Sequence, residues 1–424
     1  MSGGTFDRHW QPPERVSLSA QDLEWLRSLV DRRHPQFSLE AAFYNDPRVF
    51  ERDVEQVFLR NWLLVGHASR IPRPGDYFLF SLADTSVIIS RGAGGQIHAL
   101  INVCRHRGSL VCTKADGNAR SFVCPYHSWT YDSSGNLLSA RYMPEGFDSA
   151  KHGLRQARVR VFQGLIFISF AAEPLDLEPA IADLAPYLGP HGLESARIAR
   201  RAVYPLEANW KLAVENYLEC YHCPGVHPEY CSVNPRTHTV GLPEIAAEDA
   251  EEMLAWIDRA RALGHKVGGV GKEGLSVPPS QQDYGVSRVP LGRGFKTSSQ
   301  DGEPLAPLMG TLKDYDGGQT YFAVGPVSYG VADCDHAIIL RFTPLTALKT
   351  EVEMTWLVEG SAVEGKDYDR DRLLWMWDAT IRQDQTIVNQ HQEGVRSRFY
   401  RCGPYSRQET YVERWIEWYL AQIR

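Results

Sequence analysis

The chain has 424 residues, of which 43% are hydrophobic and 23% charged, and its formal net charge is −7. Those proportions belong to an ordinary globular protein long enough for two domains. The acidic balance argues against a nucleic-acid partner, because no basic excess is present to neutralise phosphates. The first 20 residues carry Asp7, Arg8, Glu14 and Arg15 with no apolar run, so a secretory signal is not expected. No stretch approaches the roughly 18 apolar residues that a membrane span needs. Eight cysteines in a chain of this length do not make a disulfide scaffold, and the cytoplasm is the expected compartment.

Residues 1–45 read as a polar tail followed by an amphipathic helix, with Ser19 as N-cap, Asp22 and Glu24 near the first turn, and Leu23, Leu26 and Val30 inward. A second helix starts at Asp46-Pro47 and turns Val49, Phe50, Val54, Val57 and Phe58 inward. From Trp62 to Phe170 the pattern changes to short apolar runs, such as Tyr77–Phe80 and Val87–Ile89, punctuated by Gly94-Gly95 and Ser134-Gly135. This predicts a small all-β unit that ends with a strand over Val161–Phe170. Beyond Pro174 the expectation is mixed: a short helix at 179–184, a strand at 198–206 and a helix from Trp210 to Cys223. Residues 233–305 are rich in Gly, Pro, Ser and charge, with a helical piece near 248–263, and read as a lid or partner surface rather than core. Strands resume at 320–324, 337–342 and 350–357, and helices close the chain at 365–394 and 410–423.

Within the all-β unit, Cys104-Arg105-His106-Arg107-Gly108 is followed, with 17 residues between His106 and the next cysteine, by Cys124-Pro125-Tyr126-His127. Each half offers a thiolate and an imidazole two or three positions apart, a spacing at which a tight loop can aim both at one metal site. Two sulfur and two nitrogen ligands fit either zinc or an iron–sulfur cluster by ligand type alone. Zinc sites more often open with two cysteines and close with two histidines. Two Cys-His pairs suit a two-iron cluster, in which cysteines hold one iron and histidines the other. The remaining cysteines are scattered except for Cys220-x-x-Cys223, which has a suggestive redox or zinc spacing.

A second constellation lies in the helix after Trp210. Glu215, Glu219 and His222 fall at i, i+4 and i+7, a polar stripe among Trp210, Ala213, Val214, Tyr217, Leu218 and Tyr221. A buried polar stripe is costly unless something pairs with it. The helix breaks at Pro224-Gly225, and His227 follows in the loop. On the C-terminal helix, Asp384 interrupts the apolar series Trp377, Ile381, Val388 and His391, whereas Asp378 is off that stripe and reads as a solvated charge. Two histidines and one carboxylate leave open positions, an arrangement that suits mononuclear non-haem Fe(II) and dioxygen activation.

The first constellation resembles the Rieske [2Fe–2S] signature. With the second beside it, the chain from Phe37 to Leu420 resembles the oxygenase (alpha) component of Rieske non-haem iron oxygenases. It is most similar to the group with glycine betaine monooxygenase and stachydrine demethylase. The resemblance is densest at Asn102–Ser109, at Asn209-Trp210-Lys211 through His227-Pro228, and at Trp377–Thr380 with Gln383-Asp384. It implies an α+β fold: N-terminal helices over 1–60 packing on the catalytic domain, an all-β Rieske domain over 61–170, and over 171–424 a helix-grip catalytic domain, an antiparallel sheet packed by helices. It also implies that Cys104, His106, Cys124 and His127 hold the cluster and that His222, His227 and Asp384 hold the catalytic iron. Glu219 stands where most of the family has an Asp bridging the two centres, a departure shared with the carnitine and betaine enzymes. The implied partners are O2, a flavin/iron–sulfur reductase that brings electrons from NAD(P)H, and two further copies in a homotrimer.

For such an enzyme three readings remain: N-demethylation of a betaine-like amine, hydroxylation of an aromatic ring or acid, and electron carriage without catalysis. A quaternary ammonium calls for an aromatic cage, with Tyr217, Tyr221, Tyr321 and Phe322 as candidates.

Overall fold

The computed structural model describes residues 18–235, 247–271 and 282–424. Helix α1 (Ala20–Asp31) begins where its sequence indicates. Ser19 Oγ accepts from the Asp22 N–H, and the Asp22 carboxylate accepts from the Ser19 N–H. Two short helices follow, α2 (Ala41–Asn45) and α3 (Pro47–Asp53); α3 is capped by Asp46 and runs on into a π-helical turn at Val54–Phe58.

Ten short strands come next: β1 (Leu63–His67), β2 (Asp76–Leu82), β3 (Thr85–Arg91), β4 (Ile97–Ile101), β5 (Asp116–Asn118), β6 (Ser121–Val123), β7 (Thr130–Asp132), β8 (Leu137–Ser139), β9 (Gln156–Phe162) and β10 (Leu165–Ser169). They form a seven-stranded antiparallel sheet, in the order β1-β10-β9-β4-β3-β2-β5, and a three-stranded one, β6-β7-β8. Strand alternation divides the residues between two cores. Phe78, Val87, Ile89 and Ile166 join the main core of the molecule. Tyr77, Ile88 and Leu100 face the other way and close with Phe122, Tyr131 and Leu137 into a small core that also holds Cys104 and Cys124.

The C-terminal half is built from α4 (Glu178–Leu188), β11 (Arg197–Leu206), α5 (Trp210–Tyr217), α6 (Cys223–Val226), α7 (Pro228–Val233), α8 (Ala247–Ala262), β12 (Gly268–Gly271), β13 (Tyr284–Pro290), β14 (Gly318–Val324), β15 (Ser328–Ala332), β16 (His336–Thr346), β17 (Lys349–Val358), α9 (Arg370–Val395) and α10 (Thr410–Ile423). Its strands make one antiparallel sheet, β11-β17-β16-β15-β14-β13-β12. One face, with Tyr329, Leu340, Phe342 and Met354, shares a core with α5, α9 and α10. The opposite face, with Val286, Phe322, Ile339 and Leu357, packs on α4 and on Leu64 and Phe167 of β1 and β10. The fold is α+β, as the sequence leads one to expect.

The N-terminal helices are pinned to this half by a fully buried ion pair between Asp53 and Lys211. Asp53 also accepts from Trp210 Nε1 at 3.0 Å and from the Tyr419 hydroxyl at 2.7 Å, so one carboxylate joins α3, α5 and α10.

Two expectations need correction. The helix from Trp210 stops at Tyr217 instead of Cys223, so Glu215 does not share a stripe with His222. It turns towards the N-terminal helices, where the Tyr44 hydroxyl donates to its two oxygens, each at 3.1 Å. Residues 233–305 are also less irregular than their composition implies. Residues 236–246 and 272–281 lie outside the described residues, but the rest supplies α8, the edge strand β12 and its neighbour β13, with Trp256, Ala260 and Arg288 buried. Glycine-rich strands such as Gly268-Gly269-Val270-Gly271 carry little side-chain periodicity and so escape a pattern search.

Candidate metal centres

The two Cys-His loops are built alike. In the first, the Cys104 N–H donates to Ser109 O at 2.8 Å and the Gly108 N–H to Cys104 O at 3.0 Å. In the second, the Cys124 N–H donates to Trp129 O at 2.8 Å and the Ser128 N–H to Cys124 O at 3.0 Å. The residue four after each cysteine has positive φ, Gly108 at 80° and Ser128 at 57°, which is what folds each loop back on itself. Both cysteines are buried, whereas His106 and His127 are exposed, with their Nδ1 atoms 3.2 Å apart. Trp129 stacks on His106 at a centroid distance of 4.9 Å. The Tyr131 hydroxyl accepts from the Arg105 N–H at 3.0 Å, which leaves its proton for Cys104 Sγ, 3.3 Å away. Two buried sulfurs opposite two exposed imidazoles make a donor set suited to a two-iron cluster whose histidine side faces outward.

The second constellation assembles after the turn that follows α5. Glu219 Oε2 accepts from the backbone N–H groups of Tyr221 and His222, and Oε1 lies 2.6 Å from His222 Nδ1. An ionised carboxylate only accepts, so Nδ1 carries the proton and His222 Nε2 presents a lone pair. That Nε2 is 3.1 Å from His227 Nε2 and 3.5 Å from Asp384 Oδ1, and His227 Nε2 is 3.0 Å from the same oxygen. Burial works against a charge on His222, yet its bonds to Asp384 and Glu219 prevail and raise its pKa to about 10, so a proton and a metal cation compete for the Nε2 lone pair. Burial likewise opposes the Asp384 carboxylate, and the two histidines still hold it below its ordinary value. Both shifts mark a pocket that stabilises positive charge at the point where the three atoms converge. Two imidazoles and one carboxylate fit a mononuclear Fe(II).

Sequence reasoning assigned no role to Gln383, whose Oε1 lies 2.8 Å from His227 Nδ1, nor to Asn216, whose Nδ2 is 3.3 Å from His222 Nε2. The one available signal for Gln383 was its place beside Asp384. Asp378 is not a free solvated charge: it accepts from the Tyr204 hydroxyl and pairs with Arg382 at 2.7 Å. The Cys220 and Cys223 thiols hydrogen-bond to each other, which together with burial pushes the Cys223 thiol up. A further buried group, His265, Asp316 and Cys334, already contains a cation. The Arg288 guanidinium grips Asp316 at 2.6 and 2.9 Å and reaches Cys334 Sγ at 3.5 Å.

Beside Asp384 lies a narrow cavity between α5, α9 and the sheet, walled by Tyr217, Phe342 and Trp377 and by aliphatic side chains such as Leu206, Leu340 and Ile381. Of the four cage candidates, Tyr217 alone lines it. Tyr221 is 61% exposed. The Tyr321 hydroxyl bonds that of Tyr230 at 2.9 Å, and strand alternation turns Phe322 to the opposite face of the sheet.

Residues 61–162 match the Rieske [2Fe-2S] domain, and residues 193–424 match the ring hydroxylating alpha subunit (catalytic domain). The chain belongs to the Rieske non-haem iron oxygenases. This Rieske oxygenase is 37% identical to the glycine betaine monooxygenase oxygenase subunit of Chromohalobacter salexigens, over 92% of this chain and 87% of that protein. It is 36% identical to the protein of the same name from Pseudomonas aeruginosa, over 93% and 91%. Among solved structures, its fold matches the quaternary ammonium Rieske monooxygenase CntA in complex with L-carnitine (TM-score 0.66, 20% identity, 93% of this chain and 97% of that one). It also matches naphthalene 1,2-dioxygenase from Rhodococcus sp. bound to indole (TM-score 0.66, 20% identity, 96% and 99%). The cofactors of this Rieske oxygenase are a [2Fe–2S] cluster and a mononuclear iron. Among the described residues no helix is long and apolar enough to cross a membrane.

Proposed function

We propose that this protein is the oxygenase component of a two-component monooxygenase that N-demethylates a quaternary ammonium, betaine-type substrate. The observation that carries the reading is the cavity beside Asp384. Its lining holds three aromatic rings and one carboxylate, with no lysine or arginine among the lining residues. Such a wall attracts an alkylammonium through the ring faces, while the side-chain amides of Asn216 and Gln385 offer donors to a substrate carboxylate. Two relatives named as glycine betaine monooxygenase oxygenase subunits support the same substrate class.

Cys104, His106, Cys124 and His127 hold the cluster in this reading, and His222, His227 and Asp384 hold the iron, which when bound activates O2. Two electrons from NAD(P)H arrive through a reductase carrying flavin and an iron–sulfur centre. One oxygen atom enters a methyl C–H bond to give an N-hydroxymethyl ammonium, and the other leaves as water after taking up two protons. The hydroxymethyl group then departs as formaldehyde with loss of a proton, leaving the demethylated amine. Glu219 fixes His222 by accepting from Nδ1, and its remaining lone pairs are available to a cluster histidine of an adjacent copy. That arrangement calls for a head-to-tail homotrimer in which the cluster of one subunit serves the iron of the next. The working units are residues 1–60, 61–170 and 171–424.

The test is turnover with a reductase, NADH, and a panel of betaines and aromatic acids, scored as formaldehyde and as hydroxylated ring. Formaldehyde from a betaine is expected. Ring hydroxylation with no formaldehyde from any methylated amine would replace this reading by the aromatic one.

A further inference from the structure

The two histidines that converge on Asp384 are oriented by different means. His222 has a carboxylate, Glu219, on its Nδ1. His227 is buried, and its Nδ1 faces a neutral amide, Gln383 Oε1, at 2.8 Å. A primary amide carries an acceptor at one end and donors at the other, so by itself it can satisfy either tautomer of an imidazole by turning over. Here the turn is blocked. Gln383 Nε2 donates to Glu229 Oε2 at 2.9 Å, and a carboxylate in that place can only accept. The NH2 end of Gln383 must therefore face Glu229, its oxygen must face His227, and His227 must carry its proton on Nδ1. The lone pair of His227 then sits on Nε2, the atom 3.0 Å from Asp384 Oδ1 and 3.1 Å from His222 Nε2.

We propose that Glu229 and Gln383 form a positioning relay that fixes the tautomer and ring orientation of His227, and that Gln383 thereby ties the ligand-bearing loop to α9. The proposal rests on the reading of His222, His227 and Asp384 as a metal-binding trio. The connectivity explains why Gln383 and Asp384 are adjacent. One turn of α9 delivers both a candidate ligand and the group that orients another, while Glu229 follows His227 by two residues on α7. A shift of α9 against α7 would disturb both contacts together. The relay is also built from uncharged amide in its middle, so it orients His227 without placing a third carboxylate against the two histidines beside Asp384 and Glu219.

The test measures Fe(II) and Co(II) affinity by chelator competition on the cluster-loaded protein, with the d–d spectrum of the Co(II) form as a second readout and the visible spectrum of the cluster as a folding control. Gln383→Met keeps the volume and removes both hydrogen bonds, and is expected to weaken metal binding by about 10–100-fold, the usual effect of losing a ligand's hydrogen-bond partner. Glu229→Ala should give a smaller loss, because the freed amide can turn over. Gln383→Glu puts two carboxylates face to face and should bind weakly, whereas the exchange Gln383→Glu with Glu229→Gln restores an acceptor for His227 and a donor behind it, and should recover most of the affinity and the wild-type Co(II) spectrum. Wild-type affinity and spectrum in Gln383→Met, or an exchange variant no better than Gln383→Glu, would overturn the relay. His227→Ala separates the two questions. If it binds metal normally, the ligand reading itself fails; if it loses metal while Gln383→Met does not, the relay alone fails.

Discussion

Replacing Tyr131 by Phe removes one atom from a fully buried site and should lower the reduction potential of the cluster. The hydroxyl accepts from the Arg105 N–H and donates to Cys104 Sγ at 3.3 Å. Reduction adds an electron to the cluster and makes its sulfur ligands more negative, so a donor aimed at sulfur favours the reduced form. A hydrogen bond to a charged group contributes about 1.5–3 kcal/mol. Sulfur is a softer acceptor, and only the difference between the two oxidation states counts, so about 1–2 kcal/mol is a reasonable share. A tenfold change in a one-electron equilibrium is about 1.4 kcal/mol and about 59 mV, so the expected drop is about 40–80 mV. The assay is a spectroelectrochemical titration of Tyr131→Phe, with Tyr77→Phe as a control that alters a tyrosine of the same small core lying against Phe122 instead of the sulfur. An unchanged potential in Tyr131→Phe, or an equal drop in the control, would refute the reasoning.

Three other outcomes are expected. Glu219→Ala should retain both metals yet oxidise the reduced cluster without forming product, measured as NADH consumed against formaldehyde released; normal coupling would show that Glu219 does not link the centres. Glu215 is held by burial at a pKa raised to about 8, against the opposing pull of Tyr44 and Lys211. The folded state therefore keeps a proton that the unfolded chain has lost, and stability that is complete below the ordinary carboxyl pKa drains away as pH rises towards 8. Glu215→Gln carries no such penalty, so its urea midpoint should gain on wild type between pH 5 and 8, at up to about 1.4 kcal/mol per pH unit; a constant gap would mean that Glu215 titrates normally. Trp377→Ala should weaken binding of a betaine by more than the cation–π share of about 0.5–2 kcal/mol, while a neutral tert-butyl isostere loses only the packing part. Equal losses for both ligands would remove the cage from the argument.

What the sequence made legible follows the range of the interactions involved. The cluster loops could be read because each is a closed local turn. Six residues supply both the candidate ligands and the hydrogen bonds that fold them, and the residue of positive φ is Gly in one loop. Asp384 was legible for a different reason, as a carboxylate interrupting an apolar helix face. Glu215 was misread because helical periodicity was extended past Tyr217, where the backbone leaves the helix so that Glu219 can cap the next turn. Its real partner, Tyr44, lies 171 positions away, and no local pattern announces it. Gln383 is the same case at 156 positions from His227. Contacts of that separation are set by how α9 and α7 meet, which depends on the whole sheet and its register.

The two candidate centres differ in exposure, and that difference bears on how they work together. The histidine side of the cluster site is open and ringed by apolar residues that a monomer leaves in water, among them Val103, Leu110, Val123 and Tyr126, each more than 40% exposed. The iron site is recessed, with His227 buried, but Tyr221, beside His222, stands 61% exposed at its outer edge. An apolar collar around two imidazole edges gains by being covered, and a covering surface that carries its own histidine and a carboxylate with free lone pairs would also complete a path between the metals. Glu219 meets that description, since the bonds it makes within the chain go to Tyr221, His222 and the His222 ring. In the proposed trimer the cluster site of one copy would meet the Glu219 turn of the next, each supplying half of an electron path between the centres.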